Sequence, residues 1–186
     1  MRPQKISDQQ LIESMLEVLR AKGYEGSSLN ELALVGGLKK ASLYHRFPGG
    51  KEQLAQSVLD SYASFLKENV FDILENKRLK PKKRLKTALN NINSVYASGA
   101  ANCLYRALTL DPGAELFGEQ IAKSCKQWIK SFSILGRELG LKKKKARYLA
   151  HEVLLKIQGA LVLSRVFNDI QPFQDVIDEV RVSYSK

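Results

Sequence analysis

The sequence predicts an all-α protein in which an N-terminal three-helix helix-turn-helix domain precedes a C-terminal helical bundle, about nine helices in all. Apolar residues recur at steps of three and four along most of the 186 residues, the spacing of helices that bury one face. Punctuation is sparse, with 5 prolines and 12 glycines against 44% hydrophobic residues, which is a globular and helix-rich composition. Between Ser27 and Leu54, two short helical patterns flank a Gly36-Gly37 pair, and that spacing describes a helix-turn-helix. The expected division is residues 1–50 for this head and 51–186 for the bundle, with a helix from about residue 51 bridging the two.

Ser7 is placed to cap a first helix that carries Leu11, Ile12, Met15, Leu16 and Leu19 on one face and stops at Gly23. After the short connection Tyr24 to Ser27, Ser28 and Glu31 have the spacing of a reciprocal cap. They open a short helix with Leu29, Leu32 and Ala33 on one face, which Gly36-Gly37 breaks because glycine tolerates positive φ. The next helix sets Leu43 and Phe47 four residues apart on the inward side, with Lys39, Lys40, Ser42, Tyr44, His45 and Arg46 around the rest. Pro48 pushes Phe47 out of the helical region and ends it. Such a second helix, rich in basic and hydroxyl groups, is the one that enters the DNA major groove in a helix-turn-helix.

A longer helix from near Lys51 carries Leu54, Val58, Tyr62, Phe65 and Leu66. Asn76 to Lys86 holds seven basic residues (Lys77, Arg78, Lys80, Lys82, Lys83, Arg84 and Lys86) and no acid. It reads as a solvated loop and the first turn of a helix, with Pro81 near its start. Lys142 to Lys145 with Arg147 reads the same way. From Leu85 the apolar set Leu89, Ile92, Val95 and Tyr96 marks a helix, interrupted over Gly99 to Cys103 and followed by a short piece with Leu104, Ala107 and Leu108. Asp111-Pro112-Gly113 is a turn signal. A long helix then carries Phe117, Ile121, Cys125, Trp128, Phe132, Leu135 and Leu139, and Gly140 closes it. Two C-terminal helices follow, one with Leu149, Val153, Leu154, Ile157, Ala160 and Leu161, the other with Phe173, Val176, Ile177, Val180 and Tyr184 after Pro172. Their apolar stripes are either the core of the bundle or a self-complementary dimer face.

Composition narrows the function. A formal net charge of +11 and an isoelectric point near 9.6 predict attraction to a polyanion, either nucleic acid or an anionic membrane surface. Cys103 and Cys125 form no Cys-x-x-Cys pair and read as small buried hydrophobes. Met1 to Lys5 is polar with no apolar run of signal length behind it, and the stretch Ile157 to Phe167 is too short and polar to span a bilayer. The expectation is a cytoplasmic, reduced protein with no membrane partner. His45 and His151 stand far apart without acidic motifs, and Pro48-Gly49-Gly50-Lys51-Glu52 lacks the spacing of a phosphate-binding loop. No nucleophile–base–orienter set is present either, so no metal, cofactor or enzymatic role is expected.

The residues LKKASLYHRFPGGKEQL resemble the recognition helix and following helix start of the TetR/AcrR family of bacterial transcriptional regulators. The PGGKEQL ending is closest to the branch typified by LmrA-like multidrug-operon repressors. The resemblance is strong over roughly residues 7–60 and stays in register, more weakly, over the remainder. Lys39-Lys40 replaces the commoner Ser-Lys pair, and Arg46 stands where His or a polar residue is frequent. The resemblance implies a dimeric, ligand-responsive repressor, with the helix from residue 51 transmitting ligand-driven motion to the recognition helices. It also implies a C-terminal four-helix dimer interface, here from Val153, Leu154, Ile157, Ala160, Leu161, Phe173, Val176, Ile177 and Val180. Paired recognition helices then match half-sites roughly 34–36 Å apart on a palindromic double-stranded operator.

Lys40, Ala41 and Ser42, near the exposed start of that helix, with Lys39 beside them, are the candidates for reading base edges. Lysine donates to guanine O6 and N7, and alanine meets a thymine methyl. Tyr44, His45, Ser28 and Lys51 are the candidates for phosphate contacts. Tyr62, Phe65, Tyr96, Leu104, Leu108, Trp128 and Phe132 offer aromatic and aliphatic lining for a hydrophobic small-molecule effector, or else fill a solid core. The alternatives are an effector-independent nucleic-acid-binding protein and a small-molecule carrier or enzyme that retains the head.

Overall fold

The computed structural model describes residues 6–110 and 112–185. Met1 to Lys5 and the Asp111 of the expected turn lie outside the described residues. Among the described residues the regular structure is helical throughout: α1 (Asp8–Lys22), α2 (Leu29–Val35), α3 (Lys40–Arg46), α4 (Gly50–Leu66), α5 (Asp72–Glu75), α6 (Pro81–Val95), α7 (Leu104–Leu108), α8 (Gly113–Glu138), α9 (Lys143–Phe167) and α10 (Gln171–Ser183). A π-helical turn, Lys67–Phe71, joins α4 to α5 without leaving helical backbone, so the described residues form nine helices when Gly50–Glu75 is taken as one rod.

The chain divides into two compact units, Met1–Ala63 with Leu104–Glu119, and Ser64–Cys103 with Gln120–Lys186. The division thus falls inside α4 rather than at residue 50. The physical reason is burial, since Leu54, Ala55, Val58 and Leu59 of α4 are all at most 1% exposed and serve the core of the first unit. α7 joins the same unit because Gly23, the C-cap of α1 at φ 72°, lets the α7 backbone come close; a Cβ there would stand 2.9 Å from the Ala107 carbonyl oxygen.

α1 is held by local chemistry that the sequence displays. Ser7 Oγ accepts from the Gln10 amide, and the Gln10 side chain in turn accepts from the Ser7 amide, a complete capping box. The box expected at Ser28 and Glu31 is only half made. Ser28 Oγ accepts from the Glu31 amide, but the Glu31 carboxylate pairs with Lys22 instead. Buried Leu11, Met15 and Leu19 of α1, Leu32 and Ala33 of α2, and Leu43 and Phe47 of the α3 segment build the three-helix core.

In the second unit Arg84 is the exception to the solvated reading of the basic run. It is 1% exposed, and its guanidinium donates to the Leu74 carbonyl at 2.8 Å and to the Glu138 carboxylate. A second polar cluster has Ser131 and Gln127 donating to Glu75 Oε1 at 2.7 and 2.8 Å. Between α6 and α7, a short 3₁₀ turn places Ala97, Ser98 and Gly99 at positive φ. Gly99 is needed there because a Cβ would lie 2.7 Å from that of Phe173 on α10. Gln174 pins the same turn by donating to Ser98 O and Asn93 Oδ1, each at 2.8 Å.

Seven of the nine residues expected at a dimer interface face inward instead. Val153, Ile157, Ala160, Leu161, Phe173, Ile177 and Val180 are buried within the chain's own bundle, and Leu154 and Val176 are half-buried. α9 and α10 pack on each other and consume that stripe as core. The side of α9 left to solvent is a different one: Leu155 is 65% exposed, Val166 70% and Phe167 62%, with Tyr148, Val162 and Leu163 also exposed.

Candidate nucleic-acid interface

The helix-turn-helix is made by a short chain of backbone bonds. The Gly36 amide donates to Leu32 O, Gly37 to Leu34 O and Leu38 to Ala33 O, at 2.8 to 3.1 Å. Gly37 takes φ 63°, the left-handed conformation that closes α2 and redirects the chain into α3. Gly36 is needed for space, because a Cβ on it would meet the Leu11 side chain at 2.2 Å. α3 then rests on Leu43, 1% exposed, and Phe47, 8% exposed. At Phe47, just before Pro48, the backbone leaves the helical region, at φ −126° and ψ 77°.

With that side anchored, the opposite side of α3 must face solvent. Lys39, Lys40, Ala41, Ser42, Tyr44 and His45 are all exposed, and no acid lies in the first turn. This is a cationic, hydroxyl-bearing ridge one short helix long, and such a ridge can donate to phosphates and base edges. Arg46, on the same helix, turns away from it. Its guanidinium donates to Ile6 O at 3.3 Å and to Asp8 Oδ1 at 3.1 Å, tying the end of α3 to the start of α1.

Ser28 is exposed at the N-terminus of α2, and its oxygen is engaged as the cap acceptor. The hydroxyl proton remains available to a phosphate. Lys51, expected to be free just past the turn, is drawn into the head. Its ammonium lies 4.3 Å from the Tyr24 ring centroid, donates to Ser27 O at 3.4 Å and stands 3.9 Å from the Glu25 carboxylate. The Tyr24 hydroxyl is pushed above its usual pKa by burial, with the Glu52 and Glu25 carboxylates adding to it. Nothing in the sequence around Lys51 signals this, because its partners sit more than twenty residues upstream. Gly49, meanwhile, donates its amide to Gln53 Oε1 at 2.7 Å, which fixes the chain where it enters α4.

The seven effector-lining candidates divide between the units. Tyr62, Leu104 and Leu108 belong to the first, where Tyr62 lies under the Arg20 guanidinium at 5.2 Å and meets Tyr105 edge-on. Phe65, Tyr96, Trp128 and Phe132 belong to the second. Phe65 is 47% exposed, while the other three are buried. Trp128 stacks on Phe132 at 5.4 Å and meets Phe71 edge-on, and Phe132 meets Tyr184 edge-on. Within this aromatic row Trp128 Nε1 and the Tyr184 hydroxyl have no hydrogen-bond partner among the described residues. Burial holds the Tyr184 hydroxyl far above its usual pKa, so it stays a neutral O–H donor. Tyr184 also borders a crevice of about 10 Å³ between α9 and α10, the room of a single water and no more.

Among the described residues no helix is long and apolar enough to cross a membrane, and no group of three metal-ligating side chains comes together. Comparison with known proteins agrees with the geometry of the head. The family profile of bacterial regulatory proteins of the tetR family matches residues 11–58, which span α1 to the first turns of α4. The HTH-type transcriptional regulator LmrA of Bacillus subtilis is 24% identical over 175 residues, covering 89% of this chain and 90% of that protein. The HTH-type transcriptional repressor DhaR of a Mycobacterium species is 24% identical over 179 residues, covering 92% of this chain and 89% of its own. In fold, a TetR transcriptional regulator from Legionella pneumophila superposes with a TM-score of 0.79 at 22% identity, over 95% of this chain and 97% of that one. A regulatory protein TetR from Rhodobacter sphaeroides gives 0.77 at 20% identity, over 94% and 97%. With its recognition helix, glycine turn and three-helix core, the segment 11–58 is a helix-turn-helix head of the kind found in bacterial regulatory proteins of the tetR family, and the chain as a whole is similar to HTH-type transcriptional regulators.

Proposed function

We propose that the protein is a homodimeric repressor that grips a palindromic operator through two copies of α3 and lets go when a hydrophobic small molecule binds the second unit. The observation that carries the reading is the two-sidedness of α3, with Leu43 and Phe47 buried and Lys39 to Ser42, Tyr44 and His45 outward. Lys40, Ala41 and Ser42 read base edges, with Lys39 beside them, while Tyr44, His45 and the Ser28 hydroxyl hold phosphates. Lys51 serves the duplex indirectly, by bracing the connection between α1 and α2 on which Ser28 is mounted.

Pairing uses the solvent side of α9. Leu155, Gly159, Val162 and Val166 follow one another at steps of three and four along it, flanked by Leu163 and Phe167. A contiguous apolar strip of this kind on a regulator that needs two-fold symmetry is a natural isologous contact, and Gly159, with open space at its Cβ, admits a close neighbour. The effector enters the aromatic row of the second unit, where the free N–H of Trp128 and O–H of Tyr184 select an apolar molecule with a hydrogen-bond acceptor at one end. Repression, rather than activation, follows the relative named as a repressor.

The test is selection of bound fragments from random duplex DNA by the purified protein, repeated with a panel of lipophilic carbonyl and carboxyl compounds. A palindrome that one compound abolishes is the expected result. Selection of asymmetric or unrelated sequences, unaffected by any compound, would overturn it.

A further inference from the structure

The two lysine-rich stretches are far apart in sequence but share one end of the second unit, and Arg84 is what joins them. Arg84 sits in the first turn of α6 and donates both to Leu74 near the end of α5 and to Glu138, the last residue of α8. The loop into α6 and the loop into α9 therefore open side by side. Exposed Lys77, Arg78 and Lys80 come from the first loop and Lys82, Lys83 and Lys86 from the start of α6, while Lys142 comes from the second loop and Lys143 to Lys145 with Arg147 from the start of α9.

Among the described residues none of these cations pairs with a carboxylate. α6 and α9 both begin without a side-chain cap and without an acid in the first turn, unlike α1 and α2, so the helix dipoles add to the positive potential. Assembling so many like charges is unfavourable in isolation, and each is relieved by an external negative charge. The apolar neighbours Leu79 and Leu141 are half-buried rather than presented outward, so the surface has no aliphatic wedge for an acyl layer. A surface made mainly of lysines, on two loops and the first turns of two helices, suits a regular array of phosphates whose sequence is not read.

We propose that this cationic end of the second unit is a docking surface for the phosphate backbone of duplex DNA of any sequence, additional to the recognition helix. It would hold the regulator on bulk DNA independently of operator, effector or base readout.

Two variants of the full chain test it, one with Lys142, Lys143, Lys144 and Lys145 each changed to Gln, the other with Lys77, Lys80, Lys82 and Lys83 each changed to Gln. All eight side chains are exposed, so the urea midpoint of each variant serves as the folding control. The readout is the salt dependence of binding to a random-sequence duplex. Each quartet is expected to lower the slope of log affinity against log salt by about three, with a loss of at least tenfold at ~0.1 M salt. Lys40→Ala, a base reader in the head, provides the contrast and should leave that slope nearly unchanged. An unchanged slope in either quartet overturns the proposal. So does a loss of binding to phosphatidylcholine–phosphatidylserine vesicles with duplex binding intact, which would make the surface a membrane contact.

Discussion

Two arginines, Arg46 and Arg84, lie in basic runs that look alike in sequence, and each is the member of its run that turns inward. Arg46 ties α3 to α1 through Ile6 O and Asp8, and its side chain keeps 14% of its surface in water while Asp8 keeps 68%. Arg84 ties α6 to α5 and α8 with 1% of its surface exposed, against a Glu138 that is 31% exposed. The bonding pattern is the same, a backbone carbonyl plus a carboxylate. The depth differs, and depth sets the energy: a solvated pair gains little over its hydrated parts, whereas an interior guanidinium stripped of its carboxylate is left charged in a poor solvent. Surrounding lysines in both runs stay outside because an ammonium on a long stem reaches water more easily than it finds a two-sided partner.

That contrast can be broken or sharpened by substitution. Glu138→Ala, which strands the buried Arg84 guanidinium, should lose about 3 kcal/mol of stability, seen as a lower urea midpoint at unchanged slope; a loss no larger than that of Arg46→Ala would remove the distinction. Lys40→Ala should cost specific DNA binding about 1–3 kcal/mol and leave the urea midpoint where it was, separating a ridge residue from its anchoring neighbour. Arg46→Ala should cost stability at most about 1 kcal/mol, and raising salt should shrink the effect further. A salt-insensitive effect would mean that the Ile6 carbonyl, not Asp8, carries the tie.

The same contrast explains what could be read from the sequence. The head was legible because its determinants are local. Ser7 with Gln10, Gly36-Gly37, the four-residue step from Leu43 to Phe47 and Pro48 each act within a few residues of themselves. The outward set on α3 follows from that step alone. What was hidden depends on partners remote in sequence. Arg84 needs Glu138, Lys51 needs Tyr24, and α7 needs Gly23. α9 is ambiguous in the sequence for a related reason. Its segment from Leu149 to Phe167 is apolar on two sides, and periodicity cannot say which side α10 will cover. The effector candidates show the same ambiguity, since residues with one helical spacing belong to two different units.

The strip on the outer side of α9 reaches beyond geometry. In the dimer proposed above, chains that hide Leu155, Val166 and Phe167 against each other would hold a structure that a solitary copy lacks in part. The melting temperature then rises with protein concentration, and the fraction able to occupy an operator falls faster than the copy number as the pool is diluted. Abundance itself becomes an input to the switch. A cell sharing its pool between daughters would loosen control of the target genes before any small molecule arrives.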